Sequence, residues 1–208
     1  ASREPLPTAS DVNVDLFAAE TAAHLSWVHY LVGSSLDAVS PVITARIRQE
    51  VETRVLDRFI TAEMHWMGFH GRPVNNWNPW CTSNCLASML LLEPDARRRV
   101  DAVEHSLKIL DNWLSGYTPD GGCDEGPGYW NVAGGALFDC LELLFGASSG
   151  DLSAYDDPLI GEIGRYIARV HISGDYFVNF ADANARVAPD GRMVYRYGKR
   201  IGDPDMLA

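Results

Sequence analysis

Along most of the first 170 residues, apolar side chains recur every three or four positions, the spacing that gives a helix one buried face. Six helices are predicted. The first takes Ser10 or Asp11 as its cap, carries Val14, Phe17, Ala18, Leu25, Val28 and Leu31, and stops near Gly33. Ser40-Pro41 sets a capping residue before a proline at the first helical position. It opens the second helix, residues 42–60, with Ile43, Ile47, Val51, Val55 and Phe59 in register. Asn78-Pro79 repeats that signal and starts a third helix that runs to Leu92. Glu93-Pro94-Asp95 breaks it, and a fourth covers residues 95–114. Pro127 opens a fifth reaching Phe145, in which Gly134, Gly135 and Ala136 permit close packing. Asp157-Pro158 opens a sixth that ends near Val170.

Beyond Val170 the pattern changes. Tyr176-Phe177-Val178-Asn179-Phe180 reads as a strand. Pro189-Asp190-Gly191 is a hairpin signal leading into a second strand, Met193-Val194-Tyr195-Arg196-Tyr197. The expected fold class is mainly α, antiparallel helical hairpins followed by a short β hairpin at the C-terminus. Residues 1–170 form the helical domain and 171–208 a strand-like extension. No fixed-period repeat runs through the sequence, which disfavours a solenoid of identical units.

The direction of the helices narrows the search for a site. If successive helices run up and down, helices 1, 3 and 5 start at one end. The connections entering helices 3 and 5, and the exit from helix 6, then share a rim. These are the segments with unusual residues: V-N-N-W-N-P-W at 74–80, D-G-G-C-D-E-G-P-G-Y-W at 120–130, and Y-F-V-N-F-A-D-A-N at 176–184. Helix N-termini expose unpaired N–H groups and attract anions. Asn76 precedes one such terminus and Tyr129 sits in the first turn of another. Asparagine amides on a dry rim can neutralise a carboxylate, as oxyanion-hole donors do. A tyrosine whose anion is favoured by a helix terminus and a nearby cation moves toward use as a base. Trp77, Trp80 and Trp130 offer flat apolar faces suited to the C–H side of a sugar ring. Each piece also has a structural reading. The asparagines serve as caps and turn formers, the tryptophans as core, and Glu125 as an acidic residue stabilising a helix start.

Composition adds exclusions. The 208 residues carry 17 Lys/Arg and 28 Asp/Glu, a net charge of −11. Residues 1–160 hold 10 basic and 22 acidic side chains, residues 161–208 hold 7 and 6. Without a basic face, nucleic acid is disfavoured as a partner. The only basic concentration, Arg186, Arg192, Arg196, Lys199 and Arg200, reads as a solvated hairpin. The longest apolar runs fall short of a membrane span. Cys81, Cys85, Cys123 and Cys140 do not have zinc-ligand spacing and read as free, packed thiols. Such thiols fit a reducing compartment and slightly favour the cytoplasm, with secreted and periplasmic locations left open. His65 and His70 lie five residues apart with no evident third ligand, so no metal and no other cofactor is expected. His70 and Arg72, on the long connection that feeds the rim, are candidates for contact with an anionic substrate.

Taken together, N-N-W-N-P-W, then D-G-G-C-D-E-G-P-G-Y-W with A-G-G-A-L-F-D, resemble the helical domain of heparinase II/III-type polysaccharide lyases. The D-G-x-x-x-E-G-P-x-Y-W string is the most specific part, and the resemblance spans residues 10–205. It implies part of an (α/α) toroid followed by β domains, and β-elimination of uronic-acid-containing glycans. Asn76, with Asn75 a close rival, matches the asparagine that neutralises the uronate carboxylate. Tyr129 matches the tyrosine that acts as general base or acid. Glu125 and Trp130 match motif positions on the substrate side, to which Trp77 is added as a sugar platform. The family's histidine partners generally come from downstream β domains, and about half the helices of a toroid are represented here. The chain is therefore expected to be a fragment of a longer parent, its partner an acidic polysaccharide.

Two other readings compete. A glycoside hydrolase of helical-toroid type would use Asp120, Asp124 or Glu125 with a distant carboxylate such as Asp182, since hydrolysis needs two carboxyl groups roughly 5–9.5 Å apart across the bond. A non-catalytic carbohydrate-binding module would need only the rim. The acidic balance opposes a polyanion at long range but is screened beyond about 8 Å at physiological salt, which favours a carboxylated glycan over a heavily sulfated one.

Overall fold

The structure is a computed structural model that describes residues 13–207. It is mainly helical, with one short antiparallel hairpin near the C-terminus. The described residues form two compact units: 13–72 with 81–112, and 73–80 with 113–207.

In the first unit, Asp15 caps α1 (Leu16–Val39), its carboxylate accepting the Ala18 N–H at 2.8 Å. The expected caps Ser10 and Asp11 lie outside the described residues. The helix does not stop at Gly33, which is buried on its packed side, 3.9 Å from the Thr44 side chain for an added Cβ. It ends only at Ser40, which the following proline holds in extended conformation (φ −164°, ψ 122°). α2 (Pro41–Val51) returns against α1 and passes through a π turn, Glu52–Leu56, into α3 (Asp57–Thr61). Residues 42–60 are thus helical as expected, but with one bulged turn that buries Val55 and Leu56 together beside Val51 and Phe59.

The aromatic centre of this unit is Phe59, stacked on Trp66 at 6.5 Å and edge-on to His105 at 5.1 Å. Trp66 donates its indole N–H to the Val14 carbonyl at 2.8 Å. α4 (Trp77–Leu92) and α5 (Ala96–Leu114) follow. Asp95 caps α5 through the Arg98 N–H at 3.0 Å. Arg98 gathers the carboxylates of Asp57, Glu52 (3.6 Å) and the buried Glu93 (3.1 Å). Such pairing is what allows an acidic side chain to be buried.

The second unit is built around α6 (Gly134–Ala147), α7 (Pro158–Arg169) and α8 (Gly191–Ile201). Tyr197 is fully buried, donates to the Ile160 carbonyl at 2.9 Å, and stacks on Phe138 (4.8 Å) and Trp130 (6.2 Å). Gly164 makes room for it, since a Cβ there would meet the Tyr197 ring at 2.8 Å.

Two sequence expectations are corrected here. The hairpin pairs β1 (His171–Ser173) with β2 (Tyr176–Phe177) about Gly174, so only the first two residues of 176–180 are strand. Met193–Tyr197 is not a strand at all. Asp190 accepts the Arg192 N–H at 2.9 Å and caps α8, so Pro189-Asp190-Gly191 marks a helix start. Met193, Val194, Tyr197 and Ile201 face inward at helical spacing, and the arginines occupy the other side. Arg192, Arg196, Lys199 and Arg200 are correspondingly on α8, while Arg186 precedes it and pairs with Asp175 at 2.7 Å. Arg196 and Arg200 pair with Glu142 at 3.2 and 2.6 Å, and Arg200 lies 4.0 Å over the Phe145 ring. The boundary expected at residue 170 is not where the units divide, because α8 packs against α7.

Candidate functional site

The three unusual segments meet within the second unit. V-N-N-W-N-P-W leads into α4, which begins at Trp77, two residues before the proline. The Asn75 side chain accepts the Trp77 N–H at 3.1 Å, and the Asn76 carbonyl accepts the Trp80 N–H at 3.1 Å. Asn78, expected to be the cap, lies inside the first turn and is fully buried. The side-chain cap falls to Asn75, while Asn76 contributes its carbonyl to the first turn.

Asn76 is 4% exposed and its amide donates to Glu125 Oε2 at 3.1 Å. That bond joins positions 49 residues apart and ties the first segment to the second. Glu125 is half-buried, and its carboxyl is held above the ordinary glutamate range by burial first and then by the carboxylates of Asp124 and Asp182; a hydrogen bond from Asn75 opposes the rise. The effect of Asp182 brings in the third segment. Its attachment is steric: Gly126 has φ +86°, and a Cβ there would meet the Phe180 carbonyl oxygen and the Ala183 side chain at 2.7 Å. Only glycine allows the 180–183 turn to sit this close.

Tyr129 follows in a 3₁₀ turn, Pro127–Val132, rather than in the first turn of an α-helix, which starts later at Gly134. Successive bonds, Gly126 N–H to Cys123 O at 3.0 Å and Tyr129 N–H to Gly126 O at 3.1 Å, wind this stretch tightly. Tyr129 is half-buried, as is Trp77. The helix-terminus argument for activating Tyr129 therefore does not hold, because a turn this short carries no developed dipole.

Trp130 is corrected from platform to core. It is 1% exposed, donates its indole N–H to the Ile163 carbonyl at 2.8 Å, and has no face open to a sugar. Gly134 permits this, since a Cβ there would meet the Trp130 indole nitrogen at 2.8 Å. His70 and Arg72 are exposed and belong to the first unit; His70 has φ 61° and lies 3.1 Å from the Glu63 carboxylate.

The structure thus brings together Asn75, Asn76, Glu125 and, in the following turn, Tyr129. It adds Asp182 beside them, which sequence reasoning weighed only as a remote hydrolase partner. What the sequence did not disclose was the Gly126–Ala183 approach that sets this distance. A cleft of about 480 Å³ in the same unit is lined by Arg165, Arg169, His171, Phe177, Asp203 and Met206, and by none of the motif residues. Its arginines are already engaged, Arg165 by Glu162 and Asp203 at 2.8 Å each and Arg169 by Glu162, so it has little positive charge to offer an anion.

Among the described residues no group of three His, Cys, Asp or Glu side chains is placed to hold a metal ion, and no helix is long and apolar enough to cross a membrane. Cys81, Cys85, Cys123 and Cys140 are buried thiols outside any disulfide, and burial drives the Cys123 thiol up to about 11. No family model matches the chain, and no curated protein is found that matches it.

Proposed function

We propose that the second unit carries the uronate-recognising rim of a polysaccharide lyase-like domain acting on carboxylated glycans by β-elimination. The observation that supports this reading is the 3.1 Å bond from the Asn76 amide to Glu125, with Tyr129 four residues further on. A buried amide already aimed at a carboxyl oxygen has the orientation needed to receive a sugar carboxylate. Burial, Asp124 and Asp182 raise the proton affinity of the Glu125 carboxyl, which eases the approach of a second carboxylate. Neutralisation acidifies the proton on the adjacent ring carbon. A base, Tyr129 or a histidine, removes that proton. The electron pair forms a ring double bond, the glycosidic C–O bond breaks, and the leaving oxygen takes a proton from Tyr129.

A second reading has its own support. The Asp182 carboxylate lies close enough to raise the Glu125 carboxyl, and a hydrolase needs two carboxyl groups across the scissile bond.

The test is turnover of low-sulfate polyuronates by the full chain, read both as ultraviolet absorbance of the new double bond and as reducing ends. Lyase chemistry gives both signals, and Tyr129→Phe lowers the rate by about 100-fold or more. Reducing ends without absorbance, lost in Glu125→Gln, would establish the hydrolase instead. Calorimetric binding with neither signal would leave a carbohydrate-binding module.

A further inference from the structure

Helix α1 is apolar on two opposite sides. Leu16, Ala19, Ala22, Ala23, Ser26 and Gly33 are buried. The other side is open to solvent, with Phe17 73%, Leu31 68% and Val39 79% exposed. From Phe17 to Val39 the exposed positions 17, 21, 24, 28, 31, 35 and 39 advance by four or three residues and so hold to one stripe of the helix. No Asp, Glu, Lys or Arg occurs on it, although the chain carries 17 basic and 28 acidic residues. A helix apolar on both sides is normally covered on both.

We propose that this seam is the contact through which two copies of the chain pair, antiparallel, about a two-fold axis at Val28. The order of residues along the seam carries the choice of partner. Under that axis Phe17 faces Val39 of the other copy, Thr21 faces Ser35, and Val28 faces itself. Apolar meets apolar and hydroxyl meets hydroxyl; only His24, against Val32, breaks the match. An isologous interface requires this self-complementarity, whereas a charged partner would leave the seam nothing to pair with. The seam is about 33 Å long and exposes on the order of 500 Å² of apolar surface, the upper range for a monomer. Two copies together bury roughly 1,000 Å², the floor for a specific interface.

Sedimentation of the full chain, with single-cysteine cross-linking, tests this. The native thiols are 0–1% exposed and do not interfere. A concentration-dependent dimer is expected, weakened about tenfold or more by Leu31→Lys, with helix content unchanged by circular dichroism. A short bismaleimide should couple Val28→Cys to itself, and Phe17→Cys to Val39→Cys in a mixture, but neither of the latter pair alone. A monomer at every concentration overturns the proposal and leaves the seam to a helix from elsewhere. So does a dimer indifferent to Leu31→Lys, or one in which Phe17→Cys couples to itself.

Discussion

Trp66 and Trp130 are each no more than 2% exposed, and each donates its indole N–H at 2.8 Å to a carbonyl, Val14 in one unit and Ile163 in the other. Beside Trp66 the material is helical: Phe59 from α3 stacks on it, and His105 from α5 meets Phe59 edge-on. Around Trp130 the fit depends on absent side chains, with Gly134 beneath the indole and Gly164 beneath the neighbouring Tyr197 ring. One unit is specified by what its side chains touch and the other by where it lacks them. The chemistry-bearing residues collect in the second, since close backbone approach is what brings loop carboxylates and amides together.

The comparison can be broken most forcefully at the two indoles. Trp66→Ala and Trp130→Ala should each cost about 3–5 kcal/mol, through a cavity and an unpaired carbonyl. In differential scanning calorimetry, units that melt independently would each lose only their own transition; a single shared shift would show that they unfold as one. The next effect isolates the missing side chains. Gly126→Ala should destabilise by about 2–3 kcal/mol through its positive φ and the blocked approach of residues 180–183. Gly146→Ala, in α6 with nothing within 4 Å of an added Cβ, should stabilise by roughly 0.5–1 kcal/mol. Equal responses in urea titrations would remove the distinction.

Asn76→Ala removes one of the amide donors to Glu125 and should cost about 1–2 kcal/mol while abolishing any uronate binding, read by titration calorimetry. The smallest effect depends on pH. Burial, reinforced by Glu142 and Asp190 against the attraction of Arg196, pushes the half-buried Asp139 up to about 6 from an ordinary 3.8. The folded chain then keeps a proton that the unfolded chain releases, so this group's contribution to stability falls as pH rises from about 4 to about 6. Asp139→Asn should therefore stabilise by roughly 1 kcal/mol at pH 7, after allowance for partial exposure, and change little at pH 4.

The helices that begin at Pro41 and Pro158 were legible because a helical period follows the cap-plus-proline signals Ser40-Pro41 and Asp157-Pro158. The convergence of N-N-W-N-P-W with E-G-P-G-Y-W was legible from helix direction alone. Met193–Tyr197 was misread because M-V-Y-R-Y alternates as a strand does while also presenting Met193 and Tyr197 four apart; the Asp190 cap decided between them. Trp130 was misassigned because composition cannot tell a buried indole from an exposed one. That distinction lies in glycine positions 4 and 34 residues further along, whose effect exists only after folding.

The π turn at Glu52–Leu56 has a consequence for sequence length. A bulged turn holds one residue more than a regular helix needs. Deleting a single residue from this turn would close it to a regular helical turn and leave the segments on either side on their present faces. Phe59 would keep the position from which it reaches Trp66 and His105. The same deletion in the regular turns of α2 would rotate everything after it by about 100°, so this is the one place in the helix where a one-residue gap is absorbed.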